Sequence, residues 1–180
     1  MKSYFRKMSG GGKSPKFTSL SNVFWSFIGA FAGIAALHFS LLDRFLTAMD
    51  INMIIGSFGA SAVLVYGATE SPLAQPRNLI GGHLLSALVG VFCYQLLPGQ
   101  LWLAAALAVA TAIAVMHLTK TLHPPGGATA LIAVIGSPQL HDFGYLYALL
   151  PVTRGAVILL IVALIVNNIP RGRKYPVFWW

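Results

Sequence analysis

The sequence predicts an all-α polytopic membrane protein with four long transmembrane helices and two short glycine-rich helices, arranged as a 3+3 inverted repeat. Hydrophobic residues make up 57% of the 180 residues and charged residues 9%, which leaves too little polar surface for a soluble globular domain. Several apolar runs have the length that crosses a bilayer. In addition, one glycine-rich phrase occurs twice, once in each half of the chain.

Four long apolar runs define the predicted spanning helices. Each approaches the roughly 20 residues that cross a hydrocarbon core of about 30 Å. The mean hydropathy of the whole chain, +0.75, agrees with a membrane location. The four runs are residues 22–42, 79–98, 101–118 and 145–168.

Two further runs, 51–69 and 126–137, are shorter or interrupted by glycine. Non-helical chain in lipid leaves backbone groups unpaired, so it must be buried in protein or face water. We therefore expect half-helices or re-entrant helices inside the protein. For 51–69, an ordinary spanning helix is the open alternative. The roughly twelve residues of 126–137 rise only about 18 Å, which is too short to span.

The repeated phrase predicts an internal duplication. Residues 59–64 read GASAVL and residues 127–132 read GATALI. Three apolar runs fall in each half, and an odd number of crossings turns the second copy upside down, an arrangement typical of transporters. We expect residues 20–98 and 99–168 to superpose about a pseudo-two-fold axis in the membrane plane. Gly59 and Gly127 would then be neighbours.

The charges predict the domain boundaries and the orientation. Residues 1–20 form a basic tail, 21–168 the transmembrane domain and 169–180 a short basic and aromatic tail. Because Lys and Arg are concentrated at both ends, we expect both termini to be cytoplasmic and the number of crossings to be even. The net charge of +8 is thereby explained by tails and topology. No nucleic-acid partner is expected, whereas contact with the lipid bilayer is.

Two arginines beside apolar sequence are candidate anion ligands. Arg77 follows Pro76, and Arg154 comes shortly after Pro151. Proline suits the start of a helix, so each guanidinium would lie at a positive helix end and help to bind an anion. As counterparts in the two halves, the arginines are expected near each other. The alternative is that each one contacts lipid headgroups or caps another helix.

The segment 120–127, which reads KTLHPPGG, is the second candidate site. Its prolines stop one helix and start the next, and its glycines allow a ligand to approach the backbone. A rigid cytoplasmic turn is the alternative. Small hydroxyl-bearing residues among the glycines suit the passage of a small ion. The predicted anion pathway, besides Arg77 and Arg154, comprises Lys120, His123, Ser57, Gly59, Ser61, Gly126, Gly127 and Thr129.

Three motifs together resemble the HPP family of integral membrane proteins. They are His123-Pro124-Pro125, FGASA at 58–62 and SPLAQPRN at 71–78, and the resemblance covers roughly residues 20–168. It implies four spanning helices and a transport function, and plant plastid members are linked to nitrite transport. Nitrite is therefore the first candidate among small monovalent anions. No long Ser/Arg-rich transit peptide is evident, which favours a bacterial inner membrane.

Other classes of function are weighed against transport. An intramembrane hydrolase could use Ser61 as nucleophile with His83 or His117 as base, but the GASA phrase lacks the last glycine of a Gly-x-Ser-Gly turn. We therefore expect no enzyme and no cofactor. The histidines are scattered, so no metal site is expected. A structural or assembly subunit stays open, and small-residue stripes such as Gly29 with Gly33 would suit a homodimer.

Overall fold

The protein is all-helical over the residues that the computed structural model describes, which are 4, 6–9, 14, 17–41 and 46–180. Five of its helices are long and apolar enough to cross a membrane. They are α1 (Leu20–Ser40), α2 (Ala48–Gly67), α3 (Pro76–Leu96), α4 (Leu101–Leu118) and α6 (Ala148–Val166). A sixth, α5 (Pro125–Ile135), is shorter. Short helical turns lie at Lys7–Ser9, Pro72–Ala74 and Pro138–Asp142. The structure describes nothing of 1–3, 5, 10–13 and 15–16, so half of the predicted basic tail lies outside the described residues.

The prediction of four long helices and two short ones is wrong for one segment, which is α2. The run 51–69 forms a helix of 20 residues, so the alternative of an ordinary long helix is the one observed. A glycine inside a helix costs about 1 kcal/mol relative to alanine, and Ala48–Gly67 contains no proline. Two glycines are therefore too weak to end a helix that is packed on its neighbours. Only α5 has the short length that was predicted.

Local sequence explains where the helices start and stop. Thr47 and Asp50 form a reciprocal capping box at the start of α2, and proline occupies the first turn of α3 and of α5. At the end of α4, Lys120 adopts a left-handed φ of 57°. The N–H groups of Lys120 and Thr121 then bond back to α4 carbonyls and close the helix.

The start of α1 and the segment after α6 lie at one end of the helical bundle, which we call the tail end. Arg173, beyond α6, donates from Nε to Oδ1 of Asn22 in the first turn of α1 at 3.0 Å. The Tyr175 hydroxyl donates to the Ala74 carbonyl just before α3 at 2.7 Å. Burial raises the pKa of Tyr175, so its phenol stays protonated as a donor. The opposite end, where Asp50 starts α2, is called the far end.

The segment from 119 to 135 packs along α3, first as extended chain and then as α5. Successive turns of α3 contact successive parts of it, and the small residues of α3 allow this close approach. From Asn78 to Gly90, α3 rises about 18 Å. The contacts pair Asn78 with Leu122, Gly82 with His123, Ser86 with Gly126, and Gly90 with Ala130. Extended chain therefore enters from the tail end, and α5 continues toward the far end.

The depth of α5 follows from its contacts with α2. The Ser57 hydroxyl, near the middle of α2, donates to the carbonyl of Pro125 at the start of α5. Ser137, just after α5, donates its N–H to Asp50 at the start of α2, with a distance of 2.9 Å. Hence α5 runs from the middle of the bundle to the far end. Together with 119–124 it returns the chain from the tail end to the far end, so that α6 runs back to the tail end, where Arg173 meets α1.

Three of the six helices α1–α6 come before residue 98 and three after it. Superposition of the two halves stays a prediction.

The two arginines, however, are not neighbours. Arg77 lies at the tail end, with its guanidinium 5.8 Å from the centroid of the Phe178 ring. Arg154 lies between the middle and the far end, since the neighbouring Gly155 packs against Phe58 in the middle of α2 and Leu37 near the end of α1. In addition, α6 begins at Ala148, so Arg154 is not at a helix start as expected.

The glycine stripe of α1 is occupied within the chain. A Cβ atom placed on Gly29 or Gly33 would overlap the ring of Tyr66 from α2, and the Tyr66 hydroxyl donates to the Leu159 carbonyl of α6 at 3.0 Å. This face of α1 is therefore filled within the chain, and a homodimer stays a prediction. Its small residues serve the packing of α1, α2 and α6.

Candidate functional site

Five polar side chains are buried together in the interior of the bundle. The exposed fraction is 0% for Ser61, His83 and His123, 2% for Thr129 and 5% for Ser57. They come from α2, α3, the extended 119–124 segment and α5, and we call them the polar cluster. Polar groups buried at this depth are costly unless they are hydrogen-bonded. This makes the cluster the first candidate for function.

Ser61 is the centre of the polar cluster. Its Oγ lies 2.7 Å from Nε2 of His83 and 2.9 Å from Nε2 of His123. The two imidazole rings have their centroids 4.9 Å apart. One hydroxyl thus bridges two imidazoles.

The outer nitrogens of the two imidazoles extend the chain of hydrogen bonds in both directions. Nδ1 of His123 is 2.8 Å from the Leu73 carbonyl oxygen. Nδ1 of His83 is 2.7 Å from Oγ1 of Thr129, which in turn is 3.0 Å from Oγ of Ser57. A backbone carbonyl also lies at the second end, since Ser57 Oγ is 3.0 Å from the oxygen of Pro125.

The donors in this chain can be assigned by counting protons. A carbonyl only accepts, so His123 carries its proton on Nδ1 for Leu73, and its Nε2, in the neutral ring, accepts from the Ser61 hydroxyl. Ser61 has no second proton, so Nε2–H of His83 must donate to Ser61. Nδ1 of His83 then accepts from Thr129. Every member is satisfied with both imidazoles neutral.

Each helix positions its part of the cluster by ordinary periodicity and close packing. Ser57 and Ser61 are four residues apart and therefore share one face of α2. Phe58 stacks on the His83 ring with a centroid distance of 4.5 Å. On α3, Gly82 leaves room for His123, because a Cβ atom there would lie 2.5 Å from the Cβ of His123.

A family comparison identifies this architecture. The family described as HPP, transmembrane region, matches residues 15–176, nearly the whole chain. The chain belongs to the HPP family. Its tripeptide His123-Pro124-Pro125 thus supplies one imidazole of the polar cluster and the first turn of α5.

Two relatives of this HPP protein come from Dictyostelium discoideum, and both are described as transmembrane proteins. One is 49% identical over 183 residues, covering 98% of this chain and 57% of the relative. The other is 45% identical over 184 residues, covering 98% and 63%. The chain therefore spans about three fifths of the length of these relatives. No solved structure matches it.

Four of the predicted pathway residues meet in the polar cluster, namely Ser57, Ser61, Thr129 and His123. Gly126 is close to it, and there a Cβ atom would lie 2.7 Å from Ser86 Oγ and 2.9 Å from the Gly82 carbonyl. The small residue is needed because α3 and α5 approach each other closely at this point.

The remaining predicted residues lie elsewhere. Gly59 faces open space. Gly127 faces α4 and lines an apolar cavity of about 530 Å³ together with Val109, so Gly59 and Gly127 are not in contact through these faces. Lys120 is exposed at the tail end. Arg77 has a buried Nε with no hydrogen-bond partner among the described residues.

His83 was missed as part of the anion pathway, having been considered only as a hydrolase base. The available signal was an ionisable side chain inside a 20-residue apolar run, which requires a partner or water. Its partners, Ser61 and Thr129, are 22 and 46 residues away in sequence. Among the described residues, no group of three or more His, Cys, Asp or Glu side chains is placed to hold a metal ion.

Proposed function

We propose that this HPP protein carries a small inorganic monovalent anion across the membrane, as a transporter or channel, with nitrite as the first candidate. The polar cluster is the observation that carries the proposal. Hydroxyl and imidazole N–H donors at mid-depth can replace part of the water around an anion, and neutral ligands let the anion leave again.

The chemistry of the cluster favours an anion over a metal cation. Its side chains are two serines, one threonine and two neutral imidazoles, with no carboxylate among them. Hard cations in proteins take mostly carboxylate and carbonyl oxygens. The start of α5 also lies beside Ser57, and the partial positive charge of a helix N-terminus favours anions. A helix that begins at mid-depth beside a polar site is typical of transporters.

The positive charges Arg77 and Lys120 at the tail end and Arg154 in the far-end half of α6 support the same sign of substrate. Fixed positive charges at an entrance raise the local concentration of anions. In this arrangement the arginines attract the anion, and the polar cluster receives it. Nitrite itself rests on the family resemblance.

The test is anion flux in proteoliposomes, comparing nitrite, nitrate, chloride and formate. Thr129→Val keeps the side-chain shape but leaves Nδ1 of His83 without its donor. We expect flux to fall by about tenfold or more, since a lost buried hydrogen bond of about 1–3 kcal/mol corresponds to a factor of that size. Ser86→Ala is the matched control, because this buried α3 hydroxyl has no partner among the described residues. Absence of flux for all four anions in the wild-type protein would refute the proposal.

A second candidate is favoured by the Ser61–His83 contact. A serine hydroxyl 2.7 Å from an imidazole, with Thr129 on the other ring nitrogen, has the order of nucleophile, base and orienting group. Labelling with a fluorophosphonate probe distinguishes this candidate. Labelling that is lost in Ser61→Ala would favour a hydrolase, whereas an unlabelled protein with anion flux would favour transport. A protein with neither property would be a structural or assembly subunit.

The orientation is also proposed here: both termini face the cytoplasm, in a bacterial inner membrane. The concentration of Lys and Arg at the two ends of the chain supports the orientation. Reporter fusions at the N-terminus and after residue 180 test it. Reporters that are active only in the cytoplasm should work at both positions, and activity at one position alone would refute an even number of crossings.

A further inference from the structure

We propose that the His83–His123 pair takes up one proton with each anion, so that the protein is an electroneutral proton–anion symporter. This inference rests on the anion transport proposed above and adds the coupling ion. It is carried by the geometry of the polar cluster and by the positions of the charged residues.

The first observation is that one added proton lets the hydrogen-bonded chain donate to a carbonyl acceptor at each end. These acceptors are Leu73, at 2.8 Å from His123, and Pro125, at 3.0 Å from Ser57. In the neutral chain the donors point toward Leu73, and the single proton of Ser57 serves either Thr129 or Pro125. With one proton added, His123 donates from both nitrogens, the donors between it and Ser57 reverse, and Ser57 donates to Pro125.

The second observation is the surroundings of the imidazoles. The titratable group that faces His83 is His123, and the reverse also holds. The elements packed around them contribute uncharged groups, which are the hydroxyls of α2 and α5, the Leu73 carbonyl and the ring of Phe58. The bridging hydroxyl lets the two rings share one added proton.

The third observation is that, in the described part of the chain, no charged side chain is among the hydrogen-bond partners of the cluster. Arg77 lies at the tail end under Phe178, and Arg154 lies in the far-end half of α6. An anion at the cluster therefore has no hydrogen-bonded counter-charge there, and an unpaired charge at bilayer depth is strongly disfavoured. A proton on the imidazole pair supplies the opposite charge at the same depth. The loaded site is then neutral overall.

The proton step is balanced without any change in heavy-atom bonds. A proton from water reaches the chain at its Ser57 end, and each donor passes its own proton on toward His123. Nε2 of His123 receives the proton of Ser61, and the ring becomes an imidazolium with protons on both nitrogens. The imidazolium returns to its neutral form by releasing its Nδ1 proton to water on the Leu73 side. One proton has entered and one has left.

The experiment measures proton and anion movement together in proteoliposomes that enclose a pH-sensitive dye. Nitrate is the main probe, because nitric acid is too strong to cross the bilayer as a neutral molecule, and nitrite is compared with protein-free liposomes. We expect an inward nitrate gradient to acidify the lumen with one proton per anion. Changing the membrane potential with potassium and valinomycin should leave the nitrate flux unchanged.

The matched variants are His123→Gln and, as control, His117→Gln on the exposed face of α4. In His123→Gln, anion-driven acidification should fall by at least about tenfold, since an uncompensated charge at bilayer depth is penalised by more than that factor. The control should acidify as the wild-type protein does.

The outcomes separate this inference from the function on which it rests. Nitrate and nitrite flux that follows the membrane potential and carries no protons would overturn the coupling and leave anion transport standing. No flux of any tested anion would overturn anion transport itself. If His123→Gln does not fold, the proton-to-anion ratio of the wild-type protein alone decides. A ratio near zero refutes the symport, and a ratio near one supports it.

Discussion

The carboxylate of Asp50 joins two segments of the chain that are 87 residues apart, because Ser137 donates to it through both its N–H and its hydroxyl. The same carboxylate accepts from the N–H and hydroxyl of Thr47. Asp50 therefore caps α2 and fixes the end of α5 at the far end of the bundle. It is fully buried and has four donors, which is how a carboxylate is tolerated there.

Asp50→Asn should destabilise the protein strongly. An amide offers only one acceptor oxygen, so some of the four donors lose their partner, and we expect a loss of at least about 2 kcal/mol in the free energy of unfolding. The measurement is unfolding in detergent micelles. Asp142→Asn is the control, because Asp142 is exposed. Equal stability of the two variants would contradict the role of Asp50 in fixing α5.

Gly126→Ala and Gly59→Ala should change the stability of the protein in opposite directions, or by clearly different amounts. Both glycines belong to the predicted pathway. At Gly126 a Cβ atom would meet the Gly82 carbonyl at 2.9 Å, and overpacking of this kind costs about 1–3 kcal/mol. At Gly59 the space is open, so alanine should stabilise α2 by up to about 1 kcal/mol through helix propensity. Thermal denaturation in detergent measures both. If both variants were equally unstable, α3 and α5 would not be packed as described.

Arg77→Gln and Arg154→Gln should each lower anion flux, and their effects should be independent. The two side chains lie toward opposite ends of the bundle, and distant sites are additive within about 0.5 kcal/mol. The logarithm of the fold-decrease in flux for the double variant should therefore equal the sum of the logarithms of the two single fold-decreases. The assay is nitrate flux in proteoliposomes at low ionic strength, with Lys120→Gln expected to have the smaller effect of an exposed charge. Strong coupling between the arginines would mean that they share one anion site.

Thr129→Cys should react with small water-soluble thiol reagents only when the protein is transporting. Thr129 is 2% exposed in this structure, so the thiol is protected at rest, and an anion gradient should speed its reaction because the cluster must open to let the anion pass. Cys93→Ala provides the background without the native thiol. Unchanged protection during measurable anion flux would place the pathway away from the polar cluster.

The sequence by itself was sufficient for the class of fold and for much of the site. Apolar runs identified the bundle because a bilayer requires helices of a certain length. The prolines at 124 and 125 identified the start of α5, since proline suits the first helical turn. Ser57, Ser61 and Thr129 were expected in the pathway as small hydroxyl-bearing residues among glycines, and His123 as part of the segment 120–127. All four meet in the cluster.

Only the tertiary structure decided how these parts are combined. Two glycines in 51–69 did not interrupt α2, since packing outweighs a weak local preference. The direction of each helix separated Arg77 from Arg154, and a π-helical turn that includes Pro151 moved the start of α6 ahead of Arg154. His83 belongs to the polar cluster because the fold places Ser61 and Thr129, which are distant in sequence, within hydrogen-bond distance of its ring. Local chemistry determines which residues could bind an ion, whereas long-range packing determines which of them lie together.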